Sequence, residues 1–278
     1  MATQHERQGR RVSADVAGFL KRIPGWSGAA YEPLGGGTMN RSWRVTDGDR
    51  RAVLKLDAGP REKPYNSRAE EADAQREAQA AGLAAEVLWH SEQGILTEWL
   101  DGESLSRRDL TQPPMLDSIA AALRCLHALP ALGHVYDPRA WGAHYAERLR
   151  LLNAPPGADV DAALELLRET RLPGPAVPCH NDPVAGNLVA RRPPGSEAVT
   201  VIGFIDWEYA GNNSALFDLA GLIAEHELNP EQRRRLTSAY FGPNTVPDAD
   251  IDSAIAVYRA LVLLWEATRA ATTGSAAP

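Results

Sequence analysis

The texture of the chain changes at Asp101-Gly102, and that break constrains the fold more than any other feature. Before it lie short β-like stretches at 42–46, 52–56, 86–90 and 95–99. Residues 12–22 look helical, and the Ala/Glu/Gln-rich run 67–81 lacks Gly and Pro and stops at Gly82 as a helix does. After the break, Pro113-Pro114 opens a segment whose Leu116, Ile119, Ala120, Leu123 and Leu126 recur at helical spacing. Helical patterns return over 145–152, 159–170, 216–227, 231–240 and 251–271, with Pro-rich connectors at 172–178 and 191–195. The reading is an α+β chain: residues 1–100 form a β-rich N-lobe with an antiparallel sheet, residues 101–278 a mainly helical C-lobe, and the cleft between them is the expected ligand site.

Composition narrows the function. With 278 residues, 44% hydrophobic and 23% charged, the chain can bury a core. Its formal charge of −7 excludes a nucleic-acid partner, because phosphate backbones are held by clustered Lys and Arg. Residues 1–11 are polar with no apolar run behind them, so a cytoplasmic protein is expected, and the apolar stretch 254–265, interrupted by Tyr258 and Arg259, is too short to span a bilayer. No membrane partner follows. Cys125 and Cys179 have no CxxC or metal spacing and are read as two reduced, buried thiols. His127 and His134, near the end of an amphipathic helix, are read as capping or exposed.

The chemistry is concentrated in His180-Asn181-Asp182-Pro183-Val184-Ala185-Gly186-Asn187 and, after a connector, Phe204-Ile205-Asp206-Trp207-Glu208, where Asp206 ends a β-branched run. H-x-D, an Asn five residues beyond that Asp, and an Asp closing an apolar strand resemble the catalytic and metal loops of the protein-kinase-like fold. CHND, GNL and FIDWEYAG followed by Phe217-Asp218-Leu219-Ala220 resemble, in order, the motifs of the choline/ethanolamine kinase and aminoglycoside phosphotransferase family. The resemblance implies a kinase moving the ATP γ-phosphate to a small alcohol, choline or ethanolamine first, with ATP and Mg2+ as cofactors. Aminoglycoside and thiamine phosphotransferases and a catalytically silent nucleotide-binding pseudokinase are the alternatives, and the protein would be a monomer or homodimer.

Carried over residue by residue, the resemblance makes Asp182 the proton acceptor, His180 a holder of the catalytic loop, Asn187 and Asp206 the magnesium ligands and Asp218 the buried support of that loop. Gly35, Gly36, Gly37, Thr38 and Asn40 resemble the GG-x-T-N loop over the phosphates, and Lys55 the lysine that contacts them. Glu70, Glu71 and Glu77 compete to pair with that lysine, and counting back from Gly82 favours Glu71. Backbone groups of Glu98 and Leu100 would bind adenine. On the substrate side, Glu225 would face a cationic head, with Trp207, Tyr209 and Trp265 as aromatic surface, although Trp265 fits a core position equally well. The chain departs from the family at Val262, where the first Trp of a W-x-x-W helix would stand, at Val184, and at Asn181, where aminoglycoside phosphotransferases typically carry Gly.

Overall fold

Alternation of apolar residues along Arg50–Asp57 buries Ala52, Leu54 and Leu56 on one face and turns Val53 and Lys55 to the other, the period-2 pattern of a half-buried strand. The computed structural model describes residues 16–35, 40–59, 61, 63–154, 157–191, 200–243 and 246–274. The chain divides into two compact units, one of Met1–Pro60 with Glu86–Trp99, the other of Arg61–Ala85 with Leu100–Pro278.

The first unit is a five-stranded antiparallel sheet, β1 (Ala30–Leu34), β2 (Asn40–Asp47), β3 (Arg50–Asp57), β4 (Val87–Ser91) and β5 (Gly94–Glu98), in the order β1-β2-β3-β5-β4. The β2–β3 hairpin closes over Gly48, whose φ of 60° a side chain would resist. Val16, Phe19, Leu20 and Ile23 lie in one buried cluster with Trp43, Val45, Leu54 and Leu96, so the end of the N-terminal helical segment packs on the sheet.

The second unit begins with α1 (Arg68–Ala80), started by a capping box in which Ser67 and Glu70 each bond the other's backbone. The sequence places this helix in the N-lobe, whereas its contacts group it with the second unit. Its Ala74 and Ala78, with Leu83 and Ala84 behind it, join the same buried cluster as Leu116, Leu123 and Phe204. The helices α2 (Pro113–His127), α3 (Pro138–Leu151), α4 (Ala158–Glu169), α5 (Ala215–Glu225), α6 (Pro230–Phe241) and α7 (Asp248–Gly274) build the rest. The stripe Leu116, Ile119, Ala120, Leu123 and Leu126 is buried as its spacing predicts. Cys125 faces away from that stripe and is exposed, which corrects the expectation of two buried thiols; Cys179 is buried. No helix among the described residues is long and apolar enough to cross a membrane.

Two small sheets frame the polar motifs. β7 (Ala176–Cys179) pairs antiparallel with β10 (Gly211–Ser214), and β6 (Glu103–Ser104), β8 (Leu188–Arg191) and β9 (Thr200–Phe204) form the other, in the order β6-β8-β9. Gly203 in β9 is pressed against the chain after α1, since an added Cβ would lie 2.7 Å from the Leu83 carbonyl oxygen, while the Phe204 amide donates to that same oxygen at 2.8 Å. Gly203→Ala is therefore expected to cost about 1–3 kcal/mol through overpacking against backbone that cannot retreat. A chemical denaturation midpoint equal to the parent's would contradict it.

Candidate active site

The catalytic segment is a loop between two strands of different sheets. It leaves β7 at Cys179 and enters β8 at Leu188, while β9, paired with β8 through Leu188 and Phe204, delivers the chain to Asp206. This hairpin places the two magnesium candidates side by side, because the Ile205 amide donates to the Asn187 carbonyl at 2.9 Å. The Asn187 side-chain amide donates to the Asp182 carboxylate at 3.0 Å and to the Asp182 carbonyl at 2.9 Å. Asp182, Asn187 and Asp206, singled out by the family resemblance, are thus gathered at one end of one hairpin.

Two residues of the site hold left-handed backbone, Asn181 in the loop between β7 and β8 at φ 63° and Asp206 just after β9 at φ 69°. Asn and Asp enter that region more readily than other side-chain-bearing residues, and such conformations persist where the surroundings over-determine them. Asn181 is heavily determined. Its amide donates to Asp218 at 2.7 Å, its side-chain NH2 to the Tyr209 carbonyl at 2.9 Å and the Gly211 carbonyl at 3.2 Å, and its side-chain oxygen accepts from Asn213 at 2.9 Å. The departure from Gly at this position therefore stitches the catalytic loop to β10.

Asp218 on α5 is 0% exposed and accepts the amides of both His180, at 2.9 Å, and Asn181. The His180 ring, fully buried, donates from Nε2 to the Ile205 carbonyl at 3.0 Å and packs on Phe204 and Trp207. It ties the loop after β7 to the end of β9, close to Asp182. Trp207 is only 1% exposed, with its indole N–H engaged by the Phe204 carbonyl at 3.1 Å. The expectation of Trp207 as substrate surface is corrected accordingly: it packs behind His180. Trp265 is half-buried against the helical core, and the Arg269 guanidinium lies 4.9 Å from its ring centroid.

Burial, and after it the charges of Asp206, Glu208 and Glu225, hold the Asp182 carboxyl well above the ordinary carboxylate range. Four acidic groups bearing on one point, with the neutral amide of Asn187 beside them, offer the hard oxygens that a divalent cation such as Mg2+ accepts. The residues present fit that ion. Around the same carboxylate stand tyrosines that the sequence did not single out. Tyr136, Tyr145 and Tyr258 feel the Asp182 charge, as does Tyr209, and burial first of all pushes each hydroxyl above its usual range, so all four are neutral hydrogen-bond donors. Tyr65 belongs to the same group, 4.6 Å from Trp141 and 6.1 Å from Tyr209 between ring centroids.

Glu71 is nine-tenths buried and more, held by Arg68 at 2.8 Å and Arg61 at 3.0 Å, and Arg61 also reaches Glu208 at 3.3 Å. This network, all within the second unit, links the first turn of α1 to the segment just past Asp206. The Arg68-x-x-Glu71 spacing was a visible sequence signal for half of it. Arg61 and Glu208, 147 residues apart, gave none. Lys55 lies on β3 of the first unit, opposite Ser42 on one side and Ile95 on the other. The Glu98 amide donates to the Glu86 carbonyl at 2.8 Å, which leaves a carbonyl rather than an N–H as that residue's group for a ligand, while Leu100 opens the second unit's larger segment. Gly36, Gly37 and Thr38 lie outside the described residues, and Asn40 begins β2.

His127, His134 and His226 were missed as functional supports. His127 is buried between Asp218 and Tyr240, and the half-buried His134 bonds the Ala210 carbonyl at 2.6 Å, so neither is a simple cap or a solvated side chain. His226, whose pKa burial and Arg107 lower, accepts the Ala185 amide at 2.9 Å and steadies the far end of the catalytic loop.

A sequence model of the phosphotransferase enzyme family, APH, matches residues 30–251. The chain belongs to that family. Ethanolamine kinase 2 of Rattus norvegicus is 27% identical over 159 residues, 52% of this chain and 40% of that protein. The chain spans less than half the length of the ethanolamine kinases it matches. Among solved structures, a choline/ethanolamine kinase family protein from Mesorhizobium loti superposes with a TM-score of 0.70 at 26% identity, covering 96% of this chain and 89% of that one. Choline kinase LicA from Streptococcus pneumoniae gives 0.75 at 20% identity over 94% and 91%. The fold of this APH-family chain is accordingly the α+β, protein-kinase-like one that its motifs imply.

Proposed function

We propose that this chain transfers the γ-phosphate of ATP to the hydroxyl of a small cationic alcohol, with choline or ethanolamine as the first candidates. The observation that carries the reading is the convergence of Asp182, Asn187 and Asp206 at the end of one hairpin, with Glu208 and Glu225 adding charge and tyrosines surrounding it. Asp182 orients the substrate hydroxyl and receives its proton as the oxygen attacks. Asn187 and Asp206 would hold Mg2+, which when bound neutralises charge on the phosphates. Lys55 would steady those phosphates, the loop of Gly36, Gly37, Thr38 and Asn40 would cover them, and Glu98 and Leu100 would meet adenine through their backbones, while Glu71, the partner first expected for Lys55, is held by Arg61 and Arg68.

The substrate class follows from electrostatics. An ammonium head is recognised by carboxylate charge and aromatic faces together. Glu225 at the end of α5 supplies charge, and Tyr209, half-buried beside Tyr65, supplies a face. Trp265 is the weaker candidate, because Arg269 already lies over its ring.

The test is ADP release from Mg-ATP with choline, ethanolamine, thiamine, aminoglycosides and simple sugars. Choline or ethanolamine is expected to drive turnover and the sugars to give none. Turnover with thiamine or an aminoglycoside alone would overturn the substrate, and no turnover while Mg-ATP still raises the melting temperature would replace the reading with a silent nucleotide-binding protein.

A further inference from the structure

His127, the last residue of α2, is 7% exposed and touches two other helices. Its Nε2 lies 3.0 Å from Asp218 Oδ2, and its Nδ1 lies 2.6 Å from the Tyr240 hydroxyl on α6. An ionised carboxylate only accepts, so Nε2 carries the proton toward Asp218 and Nδ1 presents its lone pair. Tyr240 then donates to Nδ1, and burial, which pushes its hydroxyl up to about 12, keeps it a donor at neutral pH. Donation runs in one direction, from Tyr240 to His127 to Asp218, and from the other side Asp218 takes the amides of His180 and Asn181.

We propose that Tyr240 and His127 are positioning residues for phosphoryl transfer, a relay that fixes the Asp218 carboxylate and, through the His180 and Asn181 amides, aims Asp182. The inference rests on the reading of Asp182 as the proton acceptor. Its physical ground is that Asn181, directly before Asp182, holds a left-handed backbone whose amide is bonded to Asp218. A carboxylate free to rotate would release that amide and let the Asp182 side chain swing, and misplacement by about 1 Å is enough to slow a reaction. Among the described residues two backbone amides of the loop and one side chain, His127, bond Asp218, so His127 is the side-chain group that steadies the carboxylate from the opposite side.

Cys179 Sγ, His127 and Asp218 bring ligand-type atoms within 4.8 Å of one another. Hydrogen bonds account for them: the thiol, its pKa raised by burial, donates toward the Asn213 carbonyl at 3.5 Å, while both Asp218 oxygens receive N–H groups. The trio is therefore read as part of the relay's packing. At its outer end, Tyr240 and His127 line a cavity of about 510 Å3 together with Pro173, Leu216, Phe241 and Val246. Such a space admits water beside Tyr240. Deleting only the hydroxyl thus removes the directed donor without leaving Nδ1 sealed away from any partner, so Tyr240→Phe is expected to fold.

The experiment compares Tyr240→Phe, His127→Gln, His127→Ala and the double Tyr240→Phe/His127→Ala with the parent. It reads kcat, the KM for ATP, the melting temperature, and amide hydrogen exchange across 179–187. Asp182→Asn is run alongside. Tyr240→Phe is expected to lower kcat about fivefold and His127→Ala about tenfold or more, at unchanged KM for ATP, as losses of one hydrogen bond and of the whole link. His127→Gln, which keeps a donor and an acceptor, recovers part of the loss, the double variant is no slower than His127→Ala, and the His180 and Asn181 amides exchange faster in the slowed variants. Parent-like kcat and exchange in both Tyr240→Phe and His127→Gln would overturn the relay, as would losses that multiply in the double variant or merely track the unfolded fraction. Should His127→Ala fail to fold, Tyr240→Phe and His127→Gln decide. Turnover retained in Asp182→Asn would instead refute the proton acceptor, separately from the relay.

Discussion

Asp182→Asn is expected to lower kcat about a hundredfold to ten-thousandfold, the range supplied by a positioned general base, while Mg-ATP still binds. The asymmetry follows from the hairpin. Asn187 and Asp206 are untouched by the change, and an Asn at 182 still offers an oxygen to the Asn187 amide now 3.0 Å away. What is lost is the carboxylate's basicity and its single charge, while Asp206, Glu208 and Glu225 keep theirs. On the proposed reading the parent chain should also gain activity as pH rises, because burial and then the charges of Asp206, Glu208 and Glu225 disfavour the ionised form of Asp182, and a base works only when ionised. That rising limb should vanish in the variant. Steady-state rates across pH, with nucleotide-dependent melting shifts, check both halves; a variant within about tenfold of the parent rate would remove Asp182 from its role.

Asp218→Ala is expected to be the most destabilising single change at the site. It strands the buried amides of His180 and Asn181 and the His127 ring together, and each unsatisfied buried donor costs about 1–3 kcal/mol. The sum, about 3–9 kcal/mol, is a large fraction of the stability of a typical domain. Thermal unfolding should therefore shift down by roughly 10 °C, and Asp218→Asn, which keeps one acceptor oxygen, by less. An alanine variant melting within about 2 °C of the parent would mean that the loop holds itself without this anchor.

These expectations rest on residues of unequal visibility. Asp182, Asn187, Asp206 and Asp218 sit in contiguous motifs, where a few adjacent letters encode a loop and the strand or helix that carries it. The polar strand Gly211–Ser214 is the opposite case. Nothing in GNNS favours extension, and it forms because β7 pairs with it and the Asn181 side chain bonds its Gly211 carbonyl. His127 was misjudged for a related reason: a helix-end histidine is ordinarily a cap, and only the arrival of α5 and α6 gives it Asp218 and Tyr240 as partners. Trp207 was offered as aromatic surface on the substrate side, yet the turn after β9 points its indole into the core.

The sequence by itself determined the class of fold, the succession of strands and helices, and the cluster of polar motifs on which the proposed phosphoryl transfer rests, since hydrophobic period, glycine stops and short motifs are local properties of neighbouring residues. Tertiary structure alone decided which distant groups share one environment: Arg61 with Glu208, the tyrosines around Asp182, α1 with the second unit, and Tyr240 with His127 and Asp218. The physical reason is that burial and charge act through space, so hydrogen-bond partners and pKa shifts depend on what the fold brings within a few ångströms, whatever the distance along the chain.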